Sequence, residues 1–445
     1  MDKIGEVFES FFKDTGIAGF FNTETMGWLN LIMIIIGCIF LYLAIVKKFE
    51  PYLLIPIAAG MILTNIPGGH IFVKEGLNAD GAIITNSIGQ TFTDAVDIFT
   101  LEANKGIYET LADVTAQGDA AFKVVDYQYS GLLGMLYYGV KFEIYPCLIF
   151  LGIGATTDFG PLISNKKTML LGAAAQVGIF IAFFLAVCMG FNGYEAAAIG
   201  IIGGADGPTA ILVSNAMLSQ SALAGKTSSL NLQAPIALAA YSYMALVPII
   251  FPPLIRLFTT KKERRIKMEQ LRPVSKQEKI LFPISVLIIV TLIVPAATPL
   301  IGCLMLGNLI KESGVVPNLV HTIANSLLYI CSICLGLSVG ATAIGQTFLD
   351  LETLKIFALG ILAFIFAAIC GLLAGKLMCV LTKGKVNPMI GAAGVSAVPM
   401  AARVVQKEGQ REDPSNFLLM HAMGPNVAGV IGSAIAAGIL MSIFL

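Results

Sequence analysis

From Ile356 to Gly375 the chain runs twenty residues without one charged side chain. As a helix such a run is about 30 Å long, the thickness of the hydrocarbon core of a bilayer. Runs of the same kind predict spanning helices at 27–46, 168–190, 233–255, 278–296, 322–341, 353–377 and 415–445. Shorter stretches at 51–66, 131–157, 194–214, 298–311 and 386–403 carry Gly, Pro or polar residues amid hydrophobic sequence, which makes about eleven membrane elements in all. Backbone polar groups in lipid must be satisfied within the protein, so the expected fold class is an all-α polytopic membrane body. Composition leaves no room for a soluble enzyme domain: 56% of residues are apolar and 13% charged, against roughly 25% charged in soluble domains. Lys plus Arg equals Asp plus Glu at 28 each, so no charge excess points to nucleic acid.

Local charge is less even. Residues 256–279 hold nine basic and three acidic residues, a net of +6, which places this loop in the cytoplasm. Residues 67–130 hold three basic and nine acidic residues, a net of −6, and are expected outside the membrane on the opposite face. The organisation that follows is N-terminal membrane helices at 1–66, the acidic segment at 67–130, a first repeat at 131–215, connecting helices at 216–319 and a second repeat at 320–445. Asp2, Lys3, Glu6, Glu9, Lys13 and Asp14 precede any apolar run, unlike a cleaved signal peptide. The eight cysteines lie in apolar runs and read as small apolar residues; the Cys331–Cys334 pair lacks the partners of a metal site.

The repeat is legible in the residues. Gly154-Ala155-Thr156 recurs as Gly340-Ala341-Thr342, and Gly200-x-x-Gly203-x4-Pro208 recurs as Gly391-x-x-Gly394-x4-Pro399, at offsets of 186 and 191. Gly/Pro-interrupted segments at matching places in two halves are the best sequence pointer to a transporter's midplane site. Such halves are commonly inverted, which requires an odd number of crossings between them.

The first interrupted segment, Ile201 to Ile211, carries the lone carboxylate Asp206 between Gly203-Gly204 and Gly207-Pro208. The helix is expected to break at Asp206, freeing carbonyl oxygens beside the carboxylate and the Thr209 hydroxyl, ligands suited to a hard cation such as Na⁺. The bland alternative is a helix cap near a membrane face. The second segment, Asn387 to Arg403, offers Asn387, Ser396 and Arg403; in register Asp206 faces Ala397 and Ser396 faces Ala205. Asp206 and Ser396 are expected to share one cavity. A helix through 396–403 puts Ser396 and Arg403 on one face, while snorkelling at the membrane edge is the alternative for Arg403. His421 to Gly429 reads as a third interruption, with Asn426 as a site amide and His421 as a core histidine. Tyr241 and Tyr243 bring phenols into an apolar helix, where interfacial anchoring is the usual role.

At these segments the chain strongly resembles the beta subunit of the sodium-pumping biotin-dependent decarboxylases, which act on oxaloacetate, methylmalonyl-CoA or glutaconyl-CoA. The resemblance is carried by Lys47-Lys48-Phe49-Glu50-Pro51, Thr157-Asp158-Phe159-Gly160-Pro161-Leu162, Gly203 to Ile211, Tyr241 to Pro248, Gly394 to Arg403 and His421 to Gly429. It implies a multi-pass subunit of the bacterial inner membrane that removes CO₂ from N-carboxybiotin and moves Na⁺ outward. By the same resemblance, Asp206, Ser396, Asn387, Gly391, Arg403 and one of Tyr241 and Tyr243 take part in Na⁺ handling or decarboxylation. Together with the reading of the residues, this makes Asp206, Arg403, Tyr241 and Tyr243 catalytic candidates, Arg403, Asn387 and Gly391 biotin-handling candidates, and Asp206, Thr209, Ser396 and Asn426 candidate Na⁺ ligands. No Ala-Met-Lys-Met tetrapeptide is present, so biotin arrives on another chain. The implied partners are a carboxyltransferase alpha subunit, a biotin carrier protein, a small gamma or delta membrane subunit, membrane lipid and further copies of this chain. A phosphate-binding Gly-x4-Gly-Lys-Ser/Thr loop is also absent, so coupling needs no ATP. The alternative is a stand-alone Na⁺/H⁺ antiporter or carboxylate carrier of similar repeat architecture, which works without partners.

Overall fold

The computed structural model describes residues 15–21, 27–48, 51–77, 126–223, 232–396 and 398–444. The principal helices are α1 (Gly27–Ile45), α2 (Pro51–Thr64), α3 (Gly131–Lys141), α4 (Ile144–Thr156), α5 (Thr168–Ala175), α6 (Val177–Cys188), α7 (Gly193–Gly200), α8 (Gly207–Leu223) and α9 (Gln233–Phe258). They continue with α10 (Lys276–Ile293), α11 (Thr298–Ser313), α12 (Leu328–Ala341), α13 (Leu351–Leu381), α14 (Met400–Glu412) and α15 (Leu419–Phe444). Among the described residues, five helical stretches are long and apolar enough to cross a membrane, and two bent pairs raise that number to seven. The molecule is thus an all-α polytopic membrane protein. Among the described residues the one β-structure is a two-stranded antiparallel ribbon, β1 (Val73–Leu77) with β2 (Asp126–Ser130), pairing Val73 with Ser130 and Leu77 with Asp126. The ribbon brackets most of the acidic segment, whose residues 78–125 lie outside the described residues.

The chain forms two units: residues 1–142, 218–238 and 332–355 in one, and 143–217, 239–331 and 356–445 in the other. Each contains the same device. In the second unit Gly154 of α4 lies against the Leu304 carbonyl of α11, and Gly307 of α11 lies against the Leu151 carbonyl of α4. In the first unit Gly340 of α12 lies against the Ile57 carbonyl of α2, and Gly60 of α2 against the Leu337 carbonyl of α12. Leu151 and Leu337, like Gly154 and Gly340, are 186 residues apart; Leu304 and Gly307 stand 247 residues after Ile57 and Gly60. Close backbone approach at small residues holds helices together where lipid supplies no hydrophobic drive.

An asparagine closes each pair. Asn308 Nδ2 donates to the carbonyls of Gly154 (3.3 Å) and Thr157 (3.2 Å) at the end of α4. Asn65 Nδ2 donates to the Ala343 carbonyl (2.8 Å) beyond the end of α12, and its Oδ1 accepts from Gly345 N (3.0 Å). Thr157 and Ala343 are again 186 residues apart. The last carbonyls of a helix have no partner within it, and at membrane depth a side-chain amide supplies one. In one pair the partner helix precedes the Gly-Ala-Thr helix in sequence and in the other it follows, as when duplicated halves exchange a helix.

Gly154→Ala is expected to cost about 1–3 kcal/mol, the usual range for overpacking, and to lower the thermal midpoint of the purified protein. Gly302 on α11, whose missing Cβ would meet only Leu287 Cδ1 at 4.0 Å, is the control. Equal midpoints for Gly154→Ala and Gly302→Ala would contradict the close approach.

Candidate functional site

The site lies within the second unit and begins with a helix that ends early. Asn192 caps α7: its Oδ1 accepts from the backbone N–H groups of Tyr194 (3.0 Å) and Glu195 (3.2 Å), and Glu195 Oε2 accepts from Asn192 N (2.9 Å). After Gly200 the backbone tightens into a 3-10 turn over Ile201–Gly204, and Ala205 takes the left-handed conformation at φ 56°. That geometry costs a non-glycine residue of order 1–3 kcal/mol and persists only where surroundings impose it. Asp206 then starts α8, its carbonyl accepting from Ala210 N at 2.9 Å. The break stands where the glycines and Pro208 predict it. Asp206 also caps the new helix, because Thr209 N–H and Thr209 Oγ1 (2.8 Å) both donate to its buried carboxylate. A carboxylate at a helix N-terminus gains from the orphan N–H groups and the dipole there.

The second segment is broken too. Asn387 opens a 3-10 turn over Pro388–Gly394, its Oδ1 accepting from Met389 N (3.0 Å) and its Nδ2 donating to the carbonyls of Arg264 (3.2 Å) and Ile266 (2.9 Å). Val395 is extended, the Val398–Pro399 peptide is cis, and α14 starts at Met400. Ser396 joins the two breaks: its backbone N–H (3.3 Å) and its Oγ (2.5 Å) both donate to the Gly204 carbonyl, two residues before Asp206.

A third element completes the cluster. Helix α15 runs unbroken through Pro425, contrary to the interruption read at 421–429. A proline inside a membrane helix is tolerated where neighbours support it, and here Gly424 packs on Thr168 and Gly429 on the Gly394 carbonyl. Along one face α15 presents Asn426, whose Nδ2 donates to the carbonyls of Ala393 (2.9 Å) and Val395 (2.8 Å), and Ser433, whose Oγ donates to Asp206 Oδ2 at 2.8 Å. Asn426 Oδ1 is buried without a partner. Ser433 was missed from sequence; its spacing of seven from Asn426, two helical turns, is the signal that would have found it. The Asp206 carboxylate, the hydroxyls of Thr209, Ser433 and Ser396 and the Gly204 carbonyl form an all-oxygen group, a chemistry that fits a hard monovalent cation.

Tyr241 and Tyr243 are buried on α9. The Tyr241 ring rests directly on Gly207, leaving no room for a side chain there, and its hydroxyl has no partner. Tyr243 Oη donates to the Phe357 carbonyl (2.5 Å). Both sit within packed protein, away from the interfacial role expected of them.

Arg403 lies on α14, and Ser396 precedes the cis peptide, so the two do not share a helix face as the spacing implied. Its side chain is exposed and makes no ion pair among the described residues. Several charges on the neighbouring elements are paired. Arg256 forms a two-pronged pair with Glu408 (2.8 and 2.7 Å), Arg264 pairs with Glu412 (2.8 Å), and Lys267 with Asp413 (3.1 Å). The Arg264 guanidinium holds the Glu412 carboxyl below the usual carboxylate range, and hydrogen bonds from Ser415, reinforced by Lys267, hold Asp413 down at about 2. Gly391 lies fully buried against the Gly371 carbonyl. Nearby, Asp158, Arg272, Lys279, Phe417, Met420 and His421 line a cavity of about 590 Å³.

The profile of a family described as the Na⁺-transporting oxaloacetate decarboxylase beta subunit matches residues 29–444. The chain belongs to this family. It is 50% identical over 435 residues to the methylmalonyl-CoA decarboxylase subunit beta of Propionigenium modestum, covering 98% of each chain. It is 46% identical to the glutaconyl-CoA decarboxylase subunit beta of Acidaminococcus fermentans over 99% of each, and 49% identical to the oxaloacetate decarboxylase beta chain of Klebsiella pneumoniae over 93% of this chain and 95% of that one. As a decarboxylase beta subunit it is a membrane component that couples decarboxylation to Na⁺ transport, which decides against a stand-alone carrier.

Asp206→Asn is expected to abolish Na⁺ stimulation of decarboxylation while the protein still assembles. Ser433→Ala, which removes one oxygen and one donor, should raise the Na⁺ concentration for half-maximal rate by about tenfold. Wild-type Na⁺ dependence in the assembled Asn variant would contradict the assignment.

Proposed function

We propose that this subunit decarboxylates N-carboxybiotin delivered by a partner and uses the reaction to drive Na⁺ outward through the Asp206 cluster. The observation that supports it most is the meeting of two broken segments, Ser396 on the Gly204 carbonyl, beside a single buried carboxylate. Na⁺ and a proton compete for Asp206, because a cation at the carboxylate favours its ionised form. The proton displaced by Na⁺ passes toward the reacting group, with the unpartnered Tyr241 hydroxyl beside Gly207 as the nearer of the two phenols. N-carboxybiotin supplies a carbamate that loses CO₂ readily once it leaves water and its ureido nitrogen gains a proton. Thr209, Ser433, Ser396 and Asn426 supply the remaining oxygens around the cation.

Arg403 is the residue assigned to hold the incoming carboxylate. A free guanidinium offers a planar fork that matches a carboxylate with two hydrogen bonds. Asn387 and Gly391 act through position: one ties the segment to the Arg264 and Ile266 carbonyls, the other lets it pack against Gly371. The cavity beside Lys279 and His421 mixes cationic and apolar walls and is the candidate chamber for the biotin ring. The basic segment 256–279 faces the cytoplasm of a bacterial inner membrane, where a carboxyltransferase alpha subunit and a biotin carrier protein reach it. A small gamma or delta membrane subunit, and further copies of this chain, complete the assembly.

Arg403→Lys keeps the charge and loses the fork, so turnover with carboxybiotin should fall about tenfold or more while the Na⁺ half-saturation stays near wild type. Equal losses in both measurements would assign Arg403 a structural role instead.

A further inference from the structure

Gln176 is a polar side chain in the middle of an apolar stretch, Thr168 to Cys188, which the sequence reading passed over. The stretch is interrupted there: α5 ends at Ala175, Gln176 links it to α6, and its side chain is 4% exposed. Its Nε2 is within donating reach of three backbone carbonyls, Gly429 (3.2 Å), Gly394 (3.4 Å) and Gly172 (3.5 Å). The reverse orientation would press the amide oxygen against those carbonyl oxygens, so the amide has one orientation. Its Oε1 is buried without a partner among the described residues, an arrangement that costs on the order of 1–3 kcal/mol. That oxygen lies 3.5 Å from the point where a Gly204 Cβ would stand, and Ser433 Cβ lies 3.2 Å from the same point. The space left by the missing side chain of Gly204 is therefore bounded by Gln176 Oε1, by the Ile179 Cδ1 methyl (3.2 Å) and by Ser433, whose hydroxyl holds Asp206.

We infer that Gln176 is a ligand of the transported cation and makes the site selective for a monovalent metal ion. This deepens the reading of the Asp206 cluster as the cation site and rests on it. An amide oxygen carries a strong dipole and takes up no proton at neutral pH, so it adds field without adding charge. One carboxylate with neutral oxygens balances one positive charge. A second carboxylate in the same space would share a proton with Asp206 and make cation binding strongly pH-dependent. The buried, oriented and unpartnered oxygen is thus a coordination position held ready.

The test uses the assembled decarboxylase, with initial rates measured against Na⁺ and against Li⁺. Gln176→Leu should raise the Na⁺ half-saturation by at least about tenfold and change the ratio of Li⁺ to Na⁺ half-saturation. Gln176→Glu puts an oxygen back in the same place: its Na⁺ half-saturation should approach wild type at alkaline pH and worsen as pH falls. Wild-type Na⁺ half-saturation and Li⁺ ratio in the assembled Leu variant would overturn the inference, as would a Glu variant as impaired as Leu at every pH. If the Leu variant does not assemble, a Na⁺ half-saturation of Gln176→Glu that changes with pH no more than wild type overturns it. Loss of Na⁺ response in Asp206→Asn alongside unaffected Gln176 variants removes only this inference; an unaffected Asp206→Asn removes the site itself.

Discussion

Backbone hydrogen bonding at membrane depth is the constraint on which the structure depends. A helix satisfies its own peptide groups, and a break does not, so every break within an apolar segment must be supplied with partners from elsewhere in the protein. The Gly204 carbonyl takes two donors from Ser396. Asn387 and Asn416 both donate to the carbonyls of Arg264 and Ile266, and Asn426 holds those of Ala393 and Val395. Most buried amides near the breaks are thus committed as donors. Among the described residues, five buried side-chain atoms of the unit that holds Asp206 are left unpartnered: the amide oxygens of Gln176, Asn308 and Asn426 and the hydroxyls of Tyr241 and Ser242.

Charge is managed on the same principle. The basic segment that reads as a cytoplasmic loop is partly neutralised, because Glu408, Glu412 and Asp413 of α14 and its following turn pair with Arg256, Arg264 and Lys267. These pairs clamp α14 in place, and Arg403, on the same helix, has no ion pair among the described residues. A cation needed for an incoming anion is thereby presented on a helix fixed by its neighbours. Asp206, by contrast, has no ion pair among the described residues: the hydroxyls of Thr209 and Ser433 and a helix N-terminus orient its carboxylate.

Much of this was legible in the sequence, for physical reasons. Apolar runs report spans because lipid admits little else, and Gly203-Gly204 with Pro208 reports the break because no regular helix accommodates that density of breakers beside a buried carboxylate. The duplicated Gly-Ala-Thr helices were legible because close backbone packing tolerates so few residue types. Other parts were hidden. Pro425 looks like a breaker, yet α15 continues through it on support from other elements. The spacing of Ser396 and Arg403 implied one helix face, and the turn at Val398–Pro399 separates them. Ser433 and Gln176 carry no charge, and a neutral polar residue in an apolar helix reads as unremarkable until the neighbours that orient it are known.

The central proposal is that Na⁺ is held by the Asp206 segment together with the Ser396 segment. The most direct measurement is thiol labelling of Ser396→Cys in a protein lacking the eight native cysteines and retaining Asp206, with Na⁺ and with K⁺ at matched ionic strength. Labelling slowed by Na⁺ in a saturable manner and indifferent to K⁺ is the result the account predicts. Labelling that proceeds at one rate in both salts would contradict it.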